Sequence, residues 1–250
     1  MIYLKSPSEI DGIREINKLG AELLYLCYEK IQDGIITKEL EDLTQQYCIK
    51  NGIVSSFKGY KGFPHSLCVS VNEEVIHGFP SKRVIQSGDI VSVDVGLQKN
   101  GYYSDAAFTK IVGKISKRTK ELVTATKDCL YKGIEKAVPG NRLYDISRAI
   151  QSHAEFMGFD VIREYVGHGV GLALHEDPKI PNYVSHGINW ILKPGMVIAI
   201  EPLVVEGSYE VYVAKNNWTV ITKDHKLSAH FEHSVAITKD GPEILSVFEK

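Results

Sequence analysis

No uninterrupted apolar run in the 250-residue sequence approaches the roughly 18 residues needed to cross a bilayer, so a membrane-spanning helix is not expected. The opening stretch, MIYLKSPSEIDGIREI, places acidic groups where a secretory signal keeps its apolar core, which argues against export by that route. Charge of one sign is also missing. The 29 Lys and Arg residues against 31 Asp and Glu leave a net charge of −2, with no electrostatic case for nucleic acid or an anionic membrane. Cysteine is sparse: Cys27, Cys48, Cys68 and Cys129 form no CxxC pair. Separate, partly buried thiols in a cytoplasmic protein are therefore expected, rather than a disulfide framework or a four-sulfur zinc site. No Ser/Gly/Pro-rich linker and no low-complexity segment interrupts the chain. What is present, 44% hydrophobic and 24% charged residues, belongs to an ordinary globular protein with a substantial core.

Ser8 and Asp11 read as a capping box opening a helix, with Ile10, Ile13, Leu19, Leu23, Leu26, Cys27 and Ile31 on its buried face. A second helix is expected from near Thr37, with Leu40, Leu43 and Tyr47 inward and Asn51-Gly52 as its stop. From Ser66 the period changes to two, and strand character continues through residues 75–77 and 90–97. Helices return over Lys117 to Val138 and Leu143 to Met157, the latter with Leu143, Ile146, Ile150 and Phe156 inward. Strand-like runs follow at 161–171, 196–205 and 230–238. Helices then strands, twice over, predict one domain over residues 1–250, built as two similar halves sharing a sheet.

Asn100-Gly101 favours a two-residue type I′ turn. Pairing Lys99 with Tyr102 makes opposed positions sum to 201, which sets Gly96 against Asp105 and Asp94 against Ala107. Asp94 and Asp105 then share a face with Cα atoms about 7–8 Å apart, close enough for one ion between them, with Gly96 leaving room for it. Glu201 ends MVIAIE and Glu232 lies in HFEHSVAI, both in strand-like surroundings without an adjacent Arg. Buried carboxylates are costly unless paired or metal-bound. His168 adds a nitrogen donor, and the glycines at 167, 169 and 171 are expected to let the backbone approach a ligand closely. Four carboxylates and one imidazole suit two divalent ions in charge and in donor type, with Mn, Fe(II), Co or Zn as candidates.

VNEEVIHGFP at 71–80, VDVGLQKNGYYSDAA at 93–107, VGHGVGLALHEDP at 166–178 and IEPL at 200–203 resemble the type I methionine aminopeptidases. WTVITKDHKLSAHFEHSVAIT at 218–238 completes a likeness that runs over essentially the whole chain. The spacings of 11, 63, 33 and 31 residues between Asp94, Asp105, His168, Glu201 and Glu232 agree with that family. The resemblance implies the α+β pita-bread fold, a pseudo-twofold curved antiparallel sheet covered by helices. It also implies hydrolytic removal of the N-terminal methionine from nascent proteins, preferring a small second residue. Only 31 residues separate Glu201 from Glu232, too few for the helical insertion of type II enzymes, and no zinc-binding extension precedes the domain, so the short bacterial style is implied.

By the same resemblance Asp94 binds one metal, His168 and Glu201 the other, and Asp105 and Glu232 bridge the two. Glu201 is implied to move the proton of the attacking water, His77 to contact substrate near the scissile amide, and His175 to steady the oxyanion. Tyr60, Phe63, Cys68 and Trp218 fall at the positions of the methionine pocket, where aromatic walls suit a thioether. Phe57, Phe63 and Leu174 stand where cysteine, tyrosine and an aromatic are frequent. His230 replaces a frequent glutamine; sharing a strand face with Glu232, it is expected behind the ligands, modulating the metals. His65, His153, His186, His225 and His233 receive no role. The implied partners are nascent N-termini and, transiently, the ribosome, with no nucleic-acid motif and no membrane, in a cytoplasmic monomer.

Two other functions compete. X-Pro peptidases of the prolidase type share the fold and ligands but carry a further N-terminal domain, whereas 93 residues precede Asp94 here. A catalytically dead binder of peptides or ribosomes would have lost ligands, and all five are present. Fold alone does not choose between these.

Overall fold

The computed structural model describes residues 2–247. It opens with α1 (Pro7–Lys30) and α2 (Lys38–Asn51), followed by strands β1 (Val54–Ser55), β2 (Cys68–Val71), β3 (Glu74–Ile76), β4 (Ile90–Lys99) and β5 (Tyr102–Ile111). Helices α3 (Lys117–Glu135) and α4 (Leu143–Phe156) come next. The remaining strands are β6 (Asp160–Val161), β7 (Gly167–Gly169), β8 (Glu176–Ile180), β9 (Val197–Ile200) and β10 (Leu203–Val205), then β11 (Val211–Val213), β12 (Val220–Thr222), β13 (Ser228–His230), β14 (His233–Thr238) and β15 (Gly241–Ile244). No described helix is long and apolar enough to cross a membrane.

The capping box that starts α1 is Ser6 with Glu9, not Ser8 with Asp11. Pro7 occupies the first helical position, where its missing N–H costs nothing, so the cap falls one residue before it. The buried face of α1 runs through Ile13, Ile16, Gly20, Leu23, Leu24 and Cys27. That phase leaves Leu26 at 36% exposure, against expectation. Gly52 closes α2 in the left-handed conformation, as its position after Asn51 suggests. Helix α4 places Leu143, Ile146 and Ile150 in the core, but Phe156 in its last turn is 83% exposed, against expectation.

The β4–β5 hairpin has the register that its turn predicts: Lys99 opposes Tyr102, Gly96 opposes Asp105 and Asp94 opposes Ala107. Asn100 and Gly101 both take positive φ, at 53° and 83°, as the tight turn requires. Strand β4 lies between β5 on one edge and β1 and β2 on the other. Its alternate residues Val91, Val93, Val95 and Leu97 pack against Leu23 and Leu24 of α1 and Leu40 of α2. Fully burying such a side chain stabilises the fold by about 1.5–3 kcal/mol. The opposite set, Ser92, Asp94 and Gly96, is therefore turned away from those helices.

A second sheet has the order β15-β14-β9-β7-β8, and Ile198 and Val235 within it pack with Leu122, Leu130, Leu143 and Ile146 of α3 and α4. The two sheets are not joined by a continuous ladder. They meet at an antiparallel bridge between Ala107 and Glu232, where each backbone N–H donates to the other's carbonyl, and at hydrogen bonds from Tyr103 to Gly171 and between Asp105 and Ser234. Helices thus cover one side, and the side left to the strands' other faces holds a smaller apolar cluster of Phe57, Phe63, Cys68 and Leu174. The run at 161–171 is strand only at Val161 and at Gly167–Gly169, and β9 ends at Ile200, two residues before Pro202, which has no N–H to extend a ladder.

Candidate metal centre

All five candidate donors converge on the centre of this surface. Asp94 and Asp105 come from β4 and β5, and His168 from the middle of β7, where it pairs with Ala199. Glu201 follows the last residue of β9, and its carbonyl accepts from Asn182 Nδ2 at 2.9 Å. Glu232 sits in the break between β13 and β14, held by the bridge to Ala107. The ligand atoms of Asp105, His168 and Glu232 lie within 4.8 Å of one another. His168 Nε2 is 3.7 Å from Asp105 Oδ2 and 3.6 Å from Glu201 Oε1, while its Nδ1 is hydrogen-bonded to the Gly169 carbonyl at 2.9 Å. That contact leaves Nε2 to act as the donor.

The electrostatics of the cluster are those of a site built for cations. All five side chains are buried, and among the described residues no Lys or Arg pairs with the four carboxylates. Burial raises Asp94 to about 7 and Glu201 to about 8, with the Asp94 charge adding to the latter. Burial, then the neighbouring carboxylates, pushes Asp105 and Glu232 well above the usual range. Burial also lowers His168 to about 3, so its imidazole is neutral and able to donate a lone pair. Oδ1 of Asp94, Oδ1 of Asp105 and Oε1 of Glu232 are buried without any hydrogen-bond partner. Such orphaned oxygens are expensive in a folded protein unless something positive satisfies them. The donor set therefore fits divalent ions, with oxygen ligands and an imidazole suited to Mn, Fe(II), Co or Zn.

These residues form the floor of a cavity of about 230 Å³. Its walls include Tyr60, Phe63, Cys68 and Trp218, the four expected pocket residues, together with Phe57 and Leu174. Phe63 meets Trp218 edge-on with centroids 5.1 Å apart, and Cys68 pairs with Asp94 across β2 and β4. Both expected catalytic histidines are present. His77 takes φ 58° immediately after β3, and its ring lies 6.1 Å from Trp218. His175 stacks on Tyr60 at 5.2 Å, is hydrogen-bonded through Nδ1 to the Tyr60 hydroxyl at 3.1 Å, and lies 4.3 Å from the His168 ring. Burial lowers His77 to about 4 and lowers His175 as well, the latter with help from the Lys61 charge.

The expected role of the glycines is corrected. A Cβ on Gly96 would strike the Phe57 ring and Ser56 Oγ, so that space belongs to the pocket wall and not to an ion. Cβ atoms on Gly167 and Gly169 would collide with the carbonyls of Ala199 and Asp177, so these glycines serve strand packing. Sequence reading also missed Ile76, Lys61, Tyr165 and Val166 in the cavity wall; Ile76, Tyr165 and Val166 stand within three residues of His77 or His168. Lys5 gave no such signal. Its Nζ donates to Glu176 Oε2 at 2.6 Å, while Glu176 Oε1 accepts from the N–H groups of Leu172 and Ala173, fixing the loop that carries His175. His233, given no role, is a satisfied structural residue with Nδ1 hydrogen-bonded to Ser246 Oγ at 2.9 Å.

Known proteins are similar to this chain in sequence and in fold. The pattern of metallopeptidase family M24 matches residues 11–239. Methionine aminopeptidase 1 of Bacillus subtilis is 50% identical over 246 residues, covering 98% of this chain and 99% of its own. The crystal structure of a methionine aminopeptidase from Thermotoga maritima superposes with a TM-score of 0.96 at 48% identity, covering 98% of this chain and 99% of that one. A prolidase from Pyrococcus furiosus shares the fold at a TM-score of 0.79 and 24% identity, covering 99% of this chain but 66% of its own.

Proposed function

The chain belongs to metallopeptidase family M24, and from that premise we infer that it is a metal-dependent methionine aminopeptidase acting on nascent N-termini. The observation that carries this reading is a set of four buried carboxylates, three with orphaned oxygens, gathered with one imidazole beneath an aromatic-walled cavity.

Asp94, Asp105, His168, Glu201 and Glu232 would hold the metal, and two divalent ions would balance the four negative charges. A bound divalent ion supplies Lewis acidity toward the scissile carbonyl and makes water acidic enough to ionise near neutral pH. Glu201, ionised once the site is loaded, accepts the proton of the attacking water on a carboxylate oxygen and returns it to the leaving amine nitrogen. His175, with Nδ1 engaged by Tyr60, presents its other nitrogen to the oxygen that gains charge in the tetrahedral intermediate. His77 orients the substrate beside the scissile amide from a backbone position that its positive φ turns into the cavity. Tyr60, Phe63, Cys68 and Trp218 enclose the methionine side chain, and Phe57, filling the space above Gly96, limits the pocket's depth. The enzyme works as a single catalytic domain of two pseudo-symmetric halves, a cytoplasmic monomer that meets the ribosome transiently and prefers a small second residue.

Metal-stripped protein titrated with Mn, Fe(II), Co and Zn, and offered Met-Ala-Ser beside an X-Pro peptide, tests the reading. Release of methionine that returns with about two equivalents of metal is expected. Preferential cleavage before proline would move the enzyme to the X-Pro class, and no turnover by folded, metal-loaded protein would leave a binding protein.

A further inference from the structure

His230 is 1% exposed, and its Nε2 has no hydrogen-bond partner. Its backbone is clamped: the N–H donates to Thr109 Oγ1 at 2.9 Å, and the same hydroxyl donates to the His230 carbonyl at 2.7 Å. The backbone that carries the ring is therefore held in place. Nε2 lies 3.9 Å from Glu201 Oε2 and 3.9 Å from Glu232 Oε2. Those separations are too long for hydrogen bonds. Donors that share one ion at about 2.0–2.2 Å each stand about 3.3–3.6 Å apart in tetrahedral geometry, so a movement of a few tenths of an ångström brings Nε2 to an ion beside either carboxylate. His168 shows the same signature, 3.7 Å and 3.6 Å from its two carboxylates. Glu201 is thus flanked by two imidazoles, Oε1 toward His168 and Oε2 toward His230.

We propose that His230 is a further ligand of the metal centre, entering through Nε2 beside Glu201 and Glu232. This places it among the donors and not behind them, and it rests on the metallopeptidase reading above. Two imidazoles in place of one shift the donor set toward ions that take nitrogen readily, Zn, Co and Fe(II), and away from Mn and Mg.

The test uses metal-stripped full-length protein and the variants His230→Gln and His230→Ala, with circular dichroism as the check on folding. Dissociation constants for Zn and Co are expected to rise at least about tenfold in both variants, with Mn changed much less, and the visible absorption of the Co(II) protein should shift. An unchanged Co(II) spectrum with unchanged affinities, or equal weakening for every ion, would overturn the assignment. Wild-type protein labelled with 15N-histidine gives an answer that needs no variant. Two imidazole nitrogens displaced on adding Zn(II) are expected, and a single one would sink the proposal. Wild-type protein that takes up no divalent ion would instead refute the metallopeptidase reading itself. Normal metal uptake and methionine release in wild type, with variants indistinguishable from it, would leave that reading standing and remove only His230.

Discussion

Asp94 and Asp105 reach the site from ten-residue strands whose ladder is unbroken from Ile90 opposite Ile111 to Lys99 opposite Tyr102, whereas Glu201 and Glu232 stand where strands stop. In the first region the alternation of a regular hairpin delivers both side chains to one face. In the second, β9 stops at Ile200 just before Glu201, and Glu232 stands in the break between β13 and β14, held by its bridge to Ala107, so each carboxylate is aimed by an interruption. One cluster is therefore assembled by regularity on one side and by its failure on the other. A regular hairpin fixes distance, while a broken strand fixes direction, and a cluster gathered from separate strands uses both.

If both regions contribute donors to one centre, removing a donor from either should empty it. Asp105→Ala and Glu232→Ala are each expected to lower kcat/KM by more than about a hundredfold with matching loss of bound metal. Retained metal in one variant alone, by elemental analysis, would show that the halves act separately.

The carboxylates also give the metal-free protein a distinctive pH response. Their folded pKa values are raised, so the fold binds more protons than the unfolded chain and loses stability as pH rises through those values. The histidines lowered by burial act in the opposite sense, but only below their ordinary value of 6.5. Between pH 6.5 and about 8 the carboxylates act alone, and the stripped protein should melt lower with each step, by about 1.4 kcal/mol per pH unit for each group still protonated in the fold. Saturating metal should flatten the slope; a flat melting profile in chelator would mean that the cluster is not buried as a unit.

Glycine substitutions sharpen the contrast further. Gly167→Ala sets a methyl against the Ala199 carbonyl, which cannot move without parting β7 from β9, and should cost about 3 kcal/mol in denaturant unfolding. Gly96→Ala meets the Phe57 ring and the Ser56 hydroxyl, which can turn aside, so a smaller loss of about 1–2 kcal/mol is expected, with a raised KM for methionyl peptides. Equal costs would contradict the distinction between backbone and side-chain obstruction. The smallest effect belongs to the turn: Asn100→Ala, at φ 53°, should destabilise by about 1 kcal/mol and leave activity intact.

The regular region was the legible one. Asn100-Gly101 fixes a turn, the turn fixes a register, and the diagonal placement of Asp94 and Asp105 follows by counting. The five candidate donors, and His77 and His175, were named through the family resemblance, and the structure brings all of them to one cavity. What counting could not supply was long-range filling. Whether Gly96 faces an ion or Phe57, and whether Gly169 faces a ligand or the Asp177 carbonyl, depends on segments distant or looped back in the chain. The start of α1 was misplaced because Ser8 and Asp11 have the same spacing as Ser6 and Glu9, and only Pro7 at the first position decides between them. Phe156 has the helical phase of a core residue and lacks only a neighbour to cover it.

The contact between Lys5 and Glu176 bears on how the enzyme should respond to ionic strength. Its side chains are 2% and 13% exposed, unlike the surface pair of Lys38 and Asp42 at 53% and 48%. Dissolved salt screens the exposed pair within a Debye length of about 8 Å at physiological strength and reaches the buried one hardly at all. The loop that presents His175 is thus moored by an electrostatic bond that brine does not loosen, and its hold on the site should be the same in dilute buffer and in concentrated salt.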